Sequence, residues 1–540
     1  MDFIFGVVLA FSLQSTLWNN AVAVEHLLTS TFQDAFKEKG VNFNDVVSKI
    51  MAVNKQLVNT SASQYIIGGD YREHLNTICS GGDKSCLWPS SINKKIYVPY
   101  TFRSNYNKAQ QAVITASMYE FEVLTCVRFK YRTREITYLQ LIDGTGCWSY
   151  VGPGKERAQE LSLQKPHCVH IGIIQHQLMH ALGFHHENSR TDRDDHIEVK
   201  MENIKKGSEN NFKAQKSNNL VTAYDYGSIM HYGRYVFSKS PDLPTIVPKP
   251  DGNVDVGQLM GFSETDVLKI NKMYHCDVCG NLLTKNYGSF TSPNYPDLYP
   301  SYANCKWIIR APLQHKIILE FDFFHIQPFI GCYRDHLKIY DGSNSHSPIL
   351  KGPSCGKLAP AVISSEHKLL IAFFSGRHKH TQGFSAKYRF VKCGEMLIAS
   401  PTKTIDKFIY EGSRNPNEVS NCFWLVQAHK GHKVIIEVTT YNFQRSDKCT
   451  DAYLKIHDVS EAPPVSRGKF CGRTPVPVIE GTTLLIEFNH PGAQLQPGFK
   501  VNYKCVIGPV GRRGEGSIQR SQCNAFTLVL CMLLISSWTM

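Results

Sequence analysis

The sequence predicts a multidomain protein in which an α+β domain is followed by two all-β sandwiches. The chain of 540 residues is too long for one ordinary domain, and roughly three or four units is the natural expectation. A histidine-rich, helix-patterned segment lies inside a block from about 76 to 276, which is domain-sized. After Cys276 the chain repeats itself with a period of about 115 residues, too long for a solenoid unit and right for a duplicated domain.

The N-terminus sets the compartment. Phe3 to Leu17 is an apolar run followed by the small-residue stretch Ala21-Val22-Ala23. This reads as a secretory signal peptide, residues 1–23, although Asp2 leaves its leading region without positive charge. Entry to the secretory pathway turns the 17 cysteines into disulfide candidates. The formal net charge of +13 comes from scattered residues. It reads as a solvated surface, with adhesion to acidic glycans as the sharper alternative. No lysine/arginine block or aromatic-basic repeat points to nucleic acid.

Residues 24–75 contain no cysteine and are helix-prone around Thr31 to Asn54, with a glycosylation acceptor at Asn59-Thr60-Ser61. In a cysteine-rich secreted chain such a stretch reads as a pro-piece outside the disulfide-stapled core. Within the block 76–276, His176 and His180 stand four apart, so on a helix they share one face and can bind one metal. The neighbours Ile171, Ile173, Ile174, Leu178, Met179 and Leu182 suit a buried helix. Gly183 permits the turn that returns His186 as a third ligand. Three nitrogens leave a fourth position open, as catalytic zinc sites do. A methionine turn follows at Ser228-Ile229-Met230-His231-Tyr232. The plain alternative, a run of structural histidines, does not explain the combined spacing and turn.

These residues resemble the metzincin metalloproteases, and astacin in particular. The third histidine is followed by Glu187 and the run Ser189 to Asp194, and Tyr232 stands two places after the turn methionine. The resemblance implies one Zn²⁺ held by His176, His180 and His186. It also implies that Tyr232 ligates zinc and then swings to stabilise the tetrahedral intermediate. It implies disulfides Cys126–Cys276 and Cys147–Cys168, with an additional Cys79–Cys86 pair like that of hatching-enzyme astacins. Asp70, in Ile67-Gly68-Gly69-Asp70, matches the aspartate with which astacin pro-pieces hold zinc.

One position departs from the family where chemistry is done. Astacins carry glutamate directly after the first histidine, as proton carrier between the attacking water and the leaving amine; here the residue is Gln177. A glutamine amide has no useful basicity near neutral pH, and loss of general acid–base help costs about 10²–10⁴-fold in rate. The maturation features depart too. Ile67 replaces the family's aromatic anchor, Leu75 stands where a basic residue precedes the usual cleavage, and the nearest arginine is Arg72. Glu187 pairs with the freed N-terminus in the family, so its partner in this chain is left open.

The repeat is read from matched residues. Cys305-Lys-Trp-Ile-Ile-Arg-Ala recurs as Cys422-Phe-Trp-Leu-Val-Gln-Ala, and Leu337-Lys-Ile recurs as Leu454-Lys-Ile. Cys355-Gly matches Cys471-Gly, and Gly383-Phe384 matches Gly498-Phe499. Alternating stretches such as Lys316 to Phe321, punctuated by Gly, Pro and Asn, read as short antiparallel strands. The copies, 279–391 and 393–505, resemble CUB domains. That resemblance implies disulfides Cys279–Cys305, Cys332–Cys355, Cys393–Cys422 and Cys449–Cys471. Many CUB domains bind calcium through a glutamate and two aspartates. The first copy keeps Asp335 but has Gln327 and Gly376, and the second has Gln444, Ala452 and Pro491. So few hard anions do not make a Ca²⁺ cage, and no calcium is expected.

Residues 506–540 end in the apolar stretch Ala525 to Trp538, about 21 Å of helix, short of the roughly 30 Å hydrocarbon core. Small residues at Gly514 to Gly516 and a polar spacer precede it. This fits a GPI-anchor signal with attachment at Gly514, against the alternative of an ordinary secreted tail or short membrane segment. The pairing of Cys505, Cys523 and Cys531 is left open. Three functional readings result: a zinc-loaded pseudoprotease binding extracellular, matrix or egg-envelope proteins; a weak endopeptidase of hatching-enzyme type; and a CUB-driven adhesion protein whose metal is structural.

Overall fold

The structure is a computed structural model. It describes residues 45–55, 66–73, 87–154, 158–215, 219–377, 380–399, 403–408, 419–429, 431–442, 449–450, 452–472, 475–491 and 498–507. The signal segment, the Cys79–Cys86 pair, Leu75, Gln444 and the GPI-type tail lie outside the described residues. The chain divides into two compact units, the first running to Thr284 and the second holding most of the remaining chain.

In the first unit, helix α1 (Val46–Asn54) precedes strand β1 (Tyr71–Arg72). Strand β2 (Ile96–Phe102) leads into helix α2 (Lys108–Leu124). Strands β3 (Val127–Tyr131), β4 (Tyr138–Ile142), β5 (Cys147–Tyr150) and β6 (Ala158–Leu163) come next, and then helix α3 (Ile171–Ala181). The short pair β7 (Ile197–Val199) and β8 (Ile246–Pro248) precedes helix α4 (Glu264–Met273). The sheet order is β1-β5-β6-β4-β2-β3, parallel throughout except between β5 and β6.

Helix α2 buries Val113, Ile114, Ser117, Met118, Phe121 and Leu124, the three-and-four spacing of an amphipathic helix against a sheet. Its start is fixed by a capping box: the Asn107 side chain accepts from Gln110 N–H, and Gln110 Oε1 accepts from Asn107 N–H. Helix α3 is buried on all sides, its polar Gln175, His176, Gln177 and His180 included, so those side chains need partners inside the protein. Disulfides Cys126–Cys276 and Cys147–Cys168 staple the unit.

Helix α1 falls in the helix-prone region, but it is not outside the core. Val46, Val47, Ile50 and Val53 are buried, and Val47 packs in a cluster with Phe212, Tyr224 and Tyr232. Asn54 then bridges two segments. Its Nδ2 donates to Gly69 O and Cys147 O, and its Oδ1 accepts from Cys147 N–H. A segment without cysteines can still be integral, because buried apolar area does the work a disulfide would do.

The second unit contains two sandwiches. In the first, one sheet runs Ile349–Ser354, His336–Tyr340, Lys368–Phe374, Asn304–Arg310, Leu282–Leu283; the facing sheet runs Tyr287–Thr291, Gly383–Val391, Lys316–His325, Val362–Ile363. The second sandwich repeats both strand orders, with Cys393–Ile398 pairing in parallel with Val419–Gln427 at one end. The repeated motifs are core: Trp307 and Trp424 are buried, as are Phe384 and Phe499. Disulfides join Cys332–Cys355, Cys393–Cys422 and Cys449–Cys471, and Cys279 and Cys305 are each disulfide-bonded. Ile318 and Ile363 of the first sandwich pack with Phe423 and Leu485 of the second in one apolar cluster. Among the described residues no helix is long and apolar enough to cross a membrane.

Integration of α1 is testable through Ile50, which is fully buried. Ile50→Ala should destabilise the first unit by about 2–5 kcal/mol, read as a fall in thermal midpoint. An unchanged midpoint would mean that α1 is draped on the domain rather than built into it.

Candidate metal centre

Helix α3 begins at His170, whose side chain accepts from Gly172 N–H, and carries His176 and His180 on one face. It stops where Gly183 takes a left-handed backbone, φ +100°, which residues with a Cβ adopt at a cost. Gly183 N–H and Phe184 N–H close on His180 O and Met179 O. The chain turns back there and brings in His186.

The three imidazoles meet edge to edge. His176 Nε2 lies 3.1 Å from His180 Nε2 and 3.4 Å from His186 Nε2. Asp70 completes the group, its Oδ2 2.7 Å from His176 Nε2 and its Oδ1 3.2 Å from His186 Nε2 and 3.6 Å from His180 Nε2. All four residues are buried, and one donor atom from each falls within 4.8 Å of the others. Nitrogen and oxygen ligands at about 2.0–2.1 Å in a tetrahedron stand roughly 3.3 Å apart. The observed spacing therefore fits one small tetrahedral cation.

The opposite ring nitrogens explain the orientation. His176 Nδ1 faces Ile229 O at 2.9 Å, and His180 Nδ1 faces Phe184 O at 2.7 Å. A carbonyl accepts only, so Nδ1 carries the hydrogen and the Nε2 lone pair points inward. Burial pushes His180 down to about 3 and lowers His186 as well, so both are neutral near pH 7, as metal ligands must be. Burial alone would raise the Asp70 carboxyl; the facing imidazoles of His186, His176 and His180 outweigh it and hold the group well below the usual range. Asp70 Oδ1 has no hydrogen-bond partner among the described residues, which again fits a cation in the middle.

Gln177 sits directly on this group. It is fully buried, and its Nε2–H donates to Asp70 Oδ2 at 3.3 Å, while its Oε1 finds no partner among the described residues. A glutamate here would set a second carboxylate against Asp70, and two close carboxylates cannot both ionise cheaply. The amide turns that repulsion into a hydrogen bond. Tyr232 is fully buried, lies 4.7 Å from the His186 ring and donates its hydroxyl to Gly68 O at 2.7 Å. Burial raises its pKa, so it is held as a donor. The segment bearing Asp70 is thus gripped from both sides.

Several residues that hold the site were not singled out in the sequence. Tyr71 packs its ring 5.1 Å from His180 and 5.5 Å from both His185 and His186. His185 Nε2 pairs with Glu73 at 2.9 Å, so His185 faces the 66–73 segment and is already engaged. Asp266 accepts from Ser228 Oγ (2.6 Å) and Ile229 N–H (2.9 Å), pinning the methionine turn, and also accepts from Ser263 N–H at the start of α4. The Ser263-x-x-Asp266 spacing was the available signal, a capping box in the sequence. Glu187 is taken by Lys269 Nζ, by Arg190 Nη1 and by Asp225 N–H. Its carboxylate therefore has buried cationic partners within the chain's own helix α4 and the loop after His186.

In the first sandwich, Asp335 accepts from the Tyr299 hydroxyl (2.7 Å) and Gly376 N–H (2.9 Å). Its oxygens are used internally.

Comparison with known proteins places these features. The profile of the astacin peptidase family matches residues 84–275, and the CUB domain profile matches 279–388 and 393–503. Embryonic protein UVS.2 of Xenopus laevis is 37% identical over 494 residues, spanning 90% of this chain and 93% of that protein. Astacin-like metalloendopeptidase of Gallus gallus is 36% identical over 395 residues, 72% of this chain and 95% of that one. Among solved structures, High choriolytic enzyme 1, a hatching enzyme zinc-protease from Oryzias latipes, is 43% identical, covering 36% of this chain and 96% of that chain with a TM-score of 0.35.

The buried Glu187–Lys269 pair yields a prediction. Lys269→Met should destabilise the first unit by about 3 kcal/mol, because it strands a buried carboxylate. The double change Lys269→Met with Glu187→Gln should recover part of that loss. Equal denaturation midpoints for the wild type and Lys269→Met would show the pair to be dispensable.

Proposed function

Because the chain belongs to the astacin family of metalloendopeptidases and carries two CUB domains behind that domain, we propose that it is an extracellular zinc-binding pseudoprotease that recognises protein targets rather than cutting them efficiently. The observation that carries this reading is the Gln177 amide donating to Asp70 Oδ2. The astacin family is zinc-dependent. The three imidazoles would hold Zn²⁺, with Asp70 as fourth ligand in the form described. When bound, zinc supplies Lewis-acid polarisation of a carbonyl or water.

What the chain's own residues do is more decisive. Gln177 cannot move a proton at its amide, so the transfer from water to leaving amine has no carrier at the family's position. His185 and Glu187 do not replace it, since one is paired with Glu73 and the other with Lys269. Asp70, Tyr71 and the Tyr232–Gly68 hydrogen bond keep the 66–73 segment over the cluster and exclude water. A second reading, weak endopeptidase activity of hatching-enzyme type, rests on Tyr232, whose hydroxyl stands at the site as a donor.

Gln327 and Gly376, where many CUB domains carry carboxylates, support a first CUB domain that works without calcium. Disulfides in both units support an oxidising, extracellular setting. The partners are then matrix or egg-envelope proteins and glycoproteins, met by a chain that is secreted or held at the cell surface through a GPI anchor.

Metal analysis of the full-length protein should find one zinc per chain, and His176→Ala with His180→Ala should abolish it. Retention of stoichiometric zinc by that double variant would move the metal elsewhere. Catalysis is tested by chelator-sensitive peptide cleavage in an Asp70→Ala background, which takes the carboxylate away from the cluster, with release of residues 66–73 checked by their susceptibility to added protease. There Gln177→Glu should raise turnover by about 10²–10⁴-fold. Equal turnover with glutamine and glutamate would defeat the pseudoprotease reading and favour the active one.

A further inference from the structure

The segment that covers the metal cluster is the chain's own peptide ligand, and it contacts the domain at a second place. Strand β1 pairs in parallel with β5, Tyr71 opposite Ser149 and Arg72 opposite Tyr150. Ser149 N–H donates to Asp70 O (3.1 Å) and Val151 N–H to Arg72 O (3.0 Å). Any peptide can supply those carbonyls, so strand pairing gives affinity and side chains must give selectivity. Of the side chains here, Asp70 goes to the histidines. Arg72, two residues on, lays its guanidinium 3.7 Å from the centroid of the Trp148 ring and 6.0 Å from that of Tyr150.

Trp148 is a fixed platform. It is buried, its Nε1–H donates to Thr145 O at 3.1 Å, and its ring meets that of Tyr150 edge to face, 6.1 Å apart. It belongs to β5, which is the sheet's edge strand once β1 is set aside. A flat, delocalised, weakly hydrated cation is what such a face attracts, and arginine fits better than lysine because the plane stacks. We propose that Trp148 and Tyr150 form an arginine-selective subsite of the cleft, so that targets replacing the 66–73 segment place an arginine side chain on the Trp148 ring. This deepens the peptide-binding reading above and rests on it.

The test uses the full-length chain with Asp70→Ala and Arg72→Ala, which removes two anchors of its own segment, with release of residues 66–73 confirmed by their susceptibility to added protease. The ligand is a synthetic copy of residues 66–73, compared with the same peptide carrying citrulline at the Arg72 position. Citrulline keeps the plane and loses the charge. Calorimetric titration should show the arginine peptide binding about tenfold tighter. That advantage should vanish in a host also carrying Trp148→Ala, and it should survive in part in Trp148→Phe, which keeps an aromatic face and guards against a folding defect. Equal affinities for the two peptides would overturn the subsite while leaving the cleft a peptide site. No binding of either peptide would overturn the peptide-binding reading and the subsite with it.

Discussion

The first unit depends on one electrostatic arrangement, three inward-facing imidazole nitrogens around a buried carboxylate. An ionised Asp70 with no exposure would be untenable in an apolar interior, because an isolated buried charge costs many kcal/mol. The His176 and His180 Nε2 atoms, 3.1 Å apart and each presenting a lone pair, would likewise repel. A divalent cation between them would remove both problems together. The rest of the domain can be read as support: backbone carbonyls fix the ring tautomers, Gly183 sets the return of His186, and Asp266 pins the turn whose Ile229 carbonyl orients His176.

The same arrangement ties the segment before the domain to its core. From Asn54, which bridges Gly69 and Cys147, through Gly68 on Tyr232 and Asp70 on the histidines, to Arg72 on Trp148, its contacts form one continuous chain. Helix α1 anchors it in the core. Gln177 belongs to this chain as well. A glutamate would favour proton transfer and resist the Asp70 carboxylate. A glutamine amide offers no basicity and instead donates to the Asp70 carboxylate.

Much of this was legible in the sequence. His176, His180 and His186 carry helical spacing and a glycine stop, which encode local geometry directly. The internal repeat predicts two similar sandwiches, and both strand orders do recur. The buried Trp307, Trp424, Phe384 and Phe499 show why those motif residues repeat. Other features were not legible, because they depend on contacts far apart in the chain. Asn54 meets Cys147 across 93 positions and Lys269 meets Glu187 across 82, and no local pattern announces either. The burial of Val47 and Ile50 was not legible for a related reason: the absence of cysteines says nothing about apolar burial.

The most direct measurement is zinc K-edge X-ray absorption on the purified full-length protein. The expected spectrum has four light-atom neighbours at about 2.0–2.1 Å, with the outer-shell scattering of three imidazoles and no sulfur. Asp70→Ala should alter the one non-imidazole neighbour and leave the three rings in place. A sulfur shell, fewer than three imidazoles, or a protein that carries no zinc after purification without chelators would contradict it.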